Sequence, residues 1–235
     1  MVIKLINNPM KNFSLYCLNL VIMLLFLMMT SCGFSSTYIP VKGNGEPVDK
    51  NYKVSDFHGI DVSSGFDVIL IQGNSEEVTL TMQENLFEHI TVKVDQGILM
   101  IYAEKGLIST RPMKARISYK SIDNLKVSGG GDTEAETPIN VPKLDVNISG
   151  GGDLTLKCKE KADEANIVIS GGGNLNASNL QTETVSFTVS GGSDINVNAS
   201  KELKGTISGG GDVYYSGNPG LVDIDARGGS EVHKQ

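Results

Sequence analysis

An all-β chain wound as a single-stranded parallel β-helix, with about 20 residues per coil, is the fold that this sequence predicts. The first observation is a repeat. The sextet Ile148-Ser149-Gly150-Gly151-Gly152-Asp153 recurs as Val127 to Asp132, Ile169 to Asn174, Val189 to Asp194 and Ile207 to Asp212, with a degenerate copy from Ala226 to Glu231. The second is spacing. Successive serine positions (Ser128, Ser149, Ser170, Ser190, Ser208, then Arg227) are 21, 21, 20, 18 and 19 residues apart, and a unit that short must stack on its neighbours to bury an apolar face. The third is phase. Leu144, Val146 and Ile148 precede one glycine run and Leu154, Leu156 and Cys158 follow it, an alternation of period two that marks a half-buried strand on each side of a corner.

Residues 1–31 precede that fold. Apart from Asn19, Leu15 to Met29 is apolar or nearly so, and Lys4 and Lys11 lie before it with no acidic residue. The run is shorter than the roughly 18 residues a membrane-spanning helix needs and fits a secretory signal. Met29-Thr30-Ser31-Cys32 resembles the lipobox of bacterial lipoproteins, which implies cleavage before Cys32 and acylation of its thiol, with a Met where the first box position is usually Leu. Several acyl chains on one cysteine would hold the chain on a membrane without a spanning helix. Met10 is a second candidate start. The expected location is the cell envelope, on an outer membrane, facing the periplasm or the surface, and Gly33 after Cys32 is compatible with that sorting.

Residues 32–52 carry Pro40, Gly43, Gly45 and Pro47 among polar residues, without apolar periodicity. They are expected to form a flexible tether. Loss of residues 1–31 removes two lysines and no acid, leaving 18 basic against 27 acidic residues and a net charge of about −9. Such a balance argues against nucleic acid or anionic lipid as partners. With Cys17 in the signal and Cys32 as anchor, Cys158 is the one cysteine of the folded part, so no internal disulfide is expected and stability must come from stacking.

Residues 53–124 read as an amino-terminal cap and early coils. Val62-Ser63-Ser64-Gly65-Phe66-Asp67 is a worn copy of the sextet, its serine 65 residues before Ser128, a gap that accommodates about three periods. Val78 to Met82, Ile90 to Val94 and Ile98 to Tyr102 alternate as strands, with a hairpin turn at Asp95-Gln96-Gly97. Glu84 to His89 suits a short helical turn that buries Leu86 and Phe87. Ala115 to Tyr119 then leads through Ile122 and Leu125 into the regular coils of residues 125–235. In those coils Gly130, Gly151, Gly172, Gly192 and Gly210 are the expected corner glycines, supplying backbone with positive φ.

The glycine run is not a nucleotide loop, because no Gly-Lys-Ser or Gly-Lys-Thr follows and each copy opens a strand rather than a helix. Nor does it match the calcium-binding β-roll, whose unit repeats every nine residues. Asp132, Asp153, Asp194 and Asp212 should nevertheless lie one above another, interrupted by Asn174 and ended by Glu231. Carboxylates that close repel by roughly 1 kcal/mol in water. Hydrogen bonds from nearby backbone N–H groups of the turn would offset this; weak calcium binding along the ladder is the alternative. No other cofactor is implied.

The chemistry-bearing inventory is sparse. The folded part holds His58, His89 and His233, three arginines and no tryptophan, and the ladder has no basic residue at matching outward positions. No catalytic residues are expected. Outward side chains are Asp, Asn, Thr, Ser and Lys, and Tyr214 is the one outward aromatic on a regular coil and a candidate contact residue.

The lipobox-like start, the segment Phe57 to Val68, the Gln72-Gly73 turn and Leu125-Lys126-Val127-Ser128-Gly129-Gly130-Gly131-Asp132 with its later copies resemble the DUF2807 family, also called the head GIN domain, over roughly residues 53–235. The resemblance implies a right-handed parallel β-helix similar to pectin lyase-like folds, in Bacteroidetes lipoproteins with a suggested adhesion role. The resulting expectation is a non-catalytic binding module for an unknown protein or glycan. A β-helix polysaccharide lyase or hydrolase, and a passive envelope component, are the alternatives.

Overall fold

Alternating apolar and polar residues make strands, and 66% of the described residues are strand against 3% helix. The structure is a computed structural model that describes residues 40–157 and 160–235. The signal segment, Cys32, the first residues of the expected tether and Cys158 lie outside the described residues. Those from Pro40 to Gln235 belong to one unit, a β-solenoid of about 5 turns with ~21 residues per turn.

The first nine strands are β1 (Val41–Lys42), β2 (Pro47–Lys53), β3 (Gly59–Val62), β4 (Asp67–Gln72), β5 (Glu77–Gln83), β6 (Ile90–Asp95), β7 (Ile98–Ala103), β8 (Leu107–Ile108) and β9 (Lys114–Tyr119). A 3₁₀ turn, Glu84–His89, buries Leu86 and Phe87 as the pattern requires. β6 and β7 form an antiparallel hairpin closed by Gln96 and Gly97, both with positive φ, the backbone of a tight two-residue turn.

The regular half follows as β10 (Asn124–Gly129), β11 (Thr133–Ala135), β12 (Asn140–Gly150), β13 (Leu154–Leu156), β14 (Glu160–Gly171), β15 (Leu175–Gly191), β16 (Ile195–Gly209), β17 (Val213–Ser216), β18 (Leu221–Gly228) and β19 (Val232–Lys234). Every pairing between neighbouring coils here is parallel, and the sextets are in register: Ser128 lies against Ser149, Ser149 against Ser170, Ser170 against Ser190 and Ser190 against Ser208, although β15 and β16 shift register between Ala177 and Thr184. The inward phase fills the core with Leu144, Val146, Ile148, Ile167, Ile169, Val185, Val189, Leu203 and Ile207, all buried. Volumes are matched between coils: Gly205 lies against Phe187, and a Cβ on Gly205 would stand 2.6 Å from the Phe187 ring. The ring occupies the space that the missing side chain leaves.

Two expectations are corrected. The 65-residue gap holds no ladder of three coils between the worn sextet and Ser128. β3 pairs directly with β10, and β4 with β11, placing Val62 against Val127 and Val68 against Thr133. The chain between them goes down rather than up. β7 pairs in parallel with the other edge of β3, and β9 with the other edge of β4, so the β7–β9 coil lies beneath a coil that precedes it in sequence.

The second correction concerns residues 40–52, expected as tether. β2 runs antiparallel to β5 along Pro47 to Lys53, and β5 runs antiparallel to β9. Buried Gln83 clamps the junction: its Nε2 donates to the Gly45 carbonyl at 2.8 Å, and its Oε1 accepts from the Thr110 N–H at 3.1 Å. The strand escapes periodicity because it is an edge, mostly exposed along its length, so no alternating apolar set is required of it.

Candidate functional site

Each coil turns from one face to the next at the sextet. The corner glycines are not those expected. Positive φ falls at the first glycine of each run, Gly129, Gly150, Gly171, Gly191 and Gly209. At Gly150 φ is 121° and an added Cβ would meet the Gly129 carbonyl oxygen at 2.2 Å, so conformation and space both demand glycine. Gly130, Gly151, Gly172, Gly192 and Gly210 have open space where a Cβ would stand. What Gly151 contributes is a backbone N–H, donated to the Gly129 carbonyl of the coil beneath at 2.9 Å. The third position is pressed against the neighbouring coil, with 2.1 Å from a Gly152 Cβ to the Gly131 carbonyl oxygen, yet Ser193 occupies it in the fourth copy and bonds to the Gly171 carbonyl.

After the corner comes the acidic ladder, and the structure brings its members together as a continuous chain of hydrogen bonds. The Asp153 N–H donates to Asp132 Oδ1 at 3.1 Å, the Asn174 N–H to Asp153 Oδ1 at 2.8 Å and the Asp194 N–H to Asn174 Oδ1 at 2.9 Å. The Asp212 N–H then donates to Asp194 Oδ1 and the Glu231 N–H to Asp212 Oδ1, both at 2.8 Å. The donor is therefore the next coil, not the same turn as expected. Because the bond needs only a side-chain oxygen, Asn174 fits without interrupting the ladder, and its amide donates to Asp153 Oδ1 as well.

The ladder also begins earlier than the sextets do. Asp67 Oδ1 accepts the Asp132 N–H at 3.3 Å, making the worn copy the first rung. Its presence in the motif Phe66-Asp67 was the available signal; the stacking of residue 67 under residue 132 was not legible. Among the described residues no three of His, Cys, Asp and Glu converge as a cation cluster, since the ladder carboxylates run in single file with one oxygen each turned to the backbone.

Two residues beyond each rung lies a second outward column. Register places Glu134 against Thr155, Thr155 against Asn176, Asn176 against Asn196, Asn196 against Tyr214 and Tyr214 against His233. Tyr214 and His233 stack with centroids 5.0 Å apart and planes 18° apart. The Tyr214 hydroxyl donates to Asp212 Oδ2 at 3.4 Å. Burial pushes this phenol above its usual range, and the Asp212 and Asp194 charges add to the effect. The partnership with His233 is revealed only by the register.

Between the two columns runs an open trough of about 380 Å³, lined by Asp153, Thr155, Asn176, Asp194, Asn196 and Tyr214. Its floor is the backbone of three strands.

The family comparison matches residues 56–161 and 157–219 to DUF2807, described as "Putative auto-transporter adhesin, head GIN domain". The chain belongs to this family. No curated protein matches it. Among solved structures, a "putative adhesin" from Bacteroides fragilis is similar at 21% identity and a TM-score of 0.68, covering 83% of this chain and 100% of its own. A "Putative lipid binding protein" from Parabacteroides distasonis gives 20% and 0.58, with 84% and 100% covered. A "putative adhesin" from Parabacteroides merdae gives 20% and 0.53, with 83% and 98% covered. At these identities the DUF2807 chain shares their fold.

Proposed function

We propose that this DUF2807 chain is a non-catalytic binding module of the cell envelope, held to an outer membrane by acylated Cys32 and making its contacts through the outer face of the stacked coils. The observation that carries this reading is the in-register column from Glu134 to His233, which sets polar side chains at the ~4.8 Å spacing of stacked strands on a stiff frame. A rigid, repetitive surface suits an extended partner, because few groups need ordering on contact. The family description as an adhesin head supports the same class. Among the described residues no helix is long and apolar enough to cross a membrane, and anchoring through Cys32 requires none.

Two measurements test it together. The full chain should fractionate with membranes and adhere to envelope or cell-surface material, and Cys32→Ala should release it to the soluble fraction while keeping the adhesion. A chain that adheres to nothing would end the binding reading; a Cys32→Ala chain still in the membrane would end the anchor.

A further inference from the structure

We propose that the trough between the Asp ladder and the Thr155-to-Tyr214 column is a binding site for neutral glycan chains. This rests on the binding-module reading and names its ligand class. The trough crosses successive coils along the solenoid axis and is open to solvent along its length, lined from Asp153 to Tyr214. Such a shape receives a linear chain laid across the coils rather than a compact molecule, and a pyranose ring is about as long as one coil is high.

The chemistry of the walls selects hydroxyl groups. Along one wall, Asp153 and Asp194 each commit Oδ1 to the next coil's N–H and turn a second oxygen toward solvent as an acceptor. Along the other, the Thr155 hydroxyl offers donor and acceptor together, while Asn176, whose Oδ1 accepts from Ser178, and Asn196 bring amide donors. A sugar hydroxyl both donates and accepts, so it satisfies both walls at once. A bare cation would leave the amide and hydroxyl donors unmatched. Uronates, phosphates and sulfated chains meet the like charge of the ladder and are disfavoured.

Two further observations place the ligand's end. Asn196 Oδ1 is buried at the trough and has no hydrogen-bond partner, an acceptor that ordinarily finds a donor. Directly above it in register stands Tyr214, half-buried and braced by the stacked His233 ring. The pair forms a stiff aromatic wall against which the apolar C–H edge of a sugar packs.

The alternatives elsewhere are weaker. The trough of similar size over Asn166, Ser186, Thr188 and Lys204 has its lining aromatic, Phe187, buried in the core and no orphaned acceptor, and the one beside Gln72 and Lys120 is a turn.

The test uses the full chain in detergent on an array of neutral oligosaccharides (gluco-, manno- and xylo-configured) beside oligogalacturonates, followed by titration calorimetry on the best binder. Neutral chains should bind, Tyr214→Ala and the double substitution Asn176→Ala with Asn196→Ala should each weaken binding at least about tenfold, and Thr188→Ala on the neighbouring face should not. Melting curves confirm that the variants fold, and Tyr214→Phe, which keeps the wall, should retain most of the affinity. Absence of neutral-glycan binding, preference for oligogalacturonates, or binding that survives both trough variants would overturn the proposal. If adhesion to envelope material persists in those cases, the binding-module reading stands and only its ligand is wrong; if adhesion is absent too, both fall.

Discussion

The two ends of the solenoid solve the same problem differently. At the amino-terminal end the parallel stack stops at β7 and β9, and the next strands on each face, β6 and β5, run antiparallel. Val78, Leu80 and Met82 of β5 and Leu86 of the 3₁₀ turn are fully buried. The outermost strand, β2, begins with Pro47 and presents Asp49, Lys50, Asn51 and Lys53 to solvent, a charged edge that discourages further pairing. At the other end the period continues to the last coil. β18 and β19 pair in register with β16 and β17, but their inward-phase residues remain accessible, Val222 at 42% and Val232 at 38%, beside Leu221 at 46%. A coil that obeys the repeat always leaves its upper face for another coil. Closing the stack requires breaking the period, as the first 80 or so residues of the fold do.

That contrast predicts a gradient of mutational cost. Gly150 is paired to coils on both sides, so Gly150→Ala should destabilise by more than about 4 kcal/mol, whereas at Gly228, with φ of 82°, an added Cβ would stand 2.5 Å from the Gly209 carbonyl oxygen but the strand is paired on one side and can shift, so Gly228→Ala should lose about 1–3 kcal/mol. Gly151→Ala is the internal control and should be near neutral. Chemical denaturation of the three variants reads the order directly, and equal costs at residues 150 and 228 would break the comparison.

Next in size are the two apolar ends. Leu80→Ala empties a sealed core and should cost about 2–5 kcal/mol, while Val222→Ala removes a side chain already in water and should cost less than about 1 kcal/mol. Amide exchange should agree, with β18 exchanging well before β5.

A smaller effect probes the ladder that joins the ends. Asp153→Ala strands the Asn174 N–H and should cost about 1 kcal/mol, while Asp153→Asn, which copies what Asn174 does one coil above, should stay within about 0.5 kcal/mol of the parent. Failure of the Asn variant to rescue would mean that the charge, not the oxygen, matters.

The smallest effect lies on the open coil itself. Arg227 hydrogen-bonds to the Asp225 carboxylate and holds its pKa below the usual 3.8. A lowered folded-state pKa means that the pair's contribution is in place above the unfolded carboxylate pKa and is lost as pH falls through the folded value. NMR titration should find Asp225 returning toward its ordinary value in Arg227→Gln, and an unchanged titration would place the perturbation elsewhere.

Particular residues show where sequence reading succeeds. The inward set Leu144, Val146, Ile148, Leu154 and Leu156 was legible because side-chain alternation is a property of one strand, whatever it pairs with. The 3₁₀ turn at Glu84–His89 and the Gln96-Gly97 turn were legible for the same reason: a few adjacent residues decide them. The corner was placed one residue late because three glycines in a row carry no internal mark of which one has positive φ. The carbonyl of the coil beneath selects Gly150 over Gly151, and that carbonyl belongs to a residue 21 positions away.

The same limit governs the candidate site. Asp132, Asp153, Asp194 and Asp212 could be aligned by counting, but not the identity of their donors, nor the place of Asp67 as first rung. Tyr214 could be marked as outward, but not its stacking on His233. Residues 59–72 were the hardest case. Counting along the chain suggests three intervening coils, because it assumes that each new coil lies above the last. The chain instead lays β7 and β9 beneath β3 and β4 before returning to β10, and it does so because the bottom coil needs the antiparallel strands that only this excursion supplies. Period, phase and turn chemistry are thus written in short stretches of sequence, where the interacting groups are neighbours in the chain. Stacking order, the cap, the clamped glycine and the trough depend on contacts between segments tens of residues apart, and those are decided only when the coils close on one another.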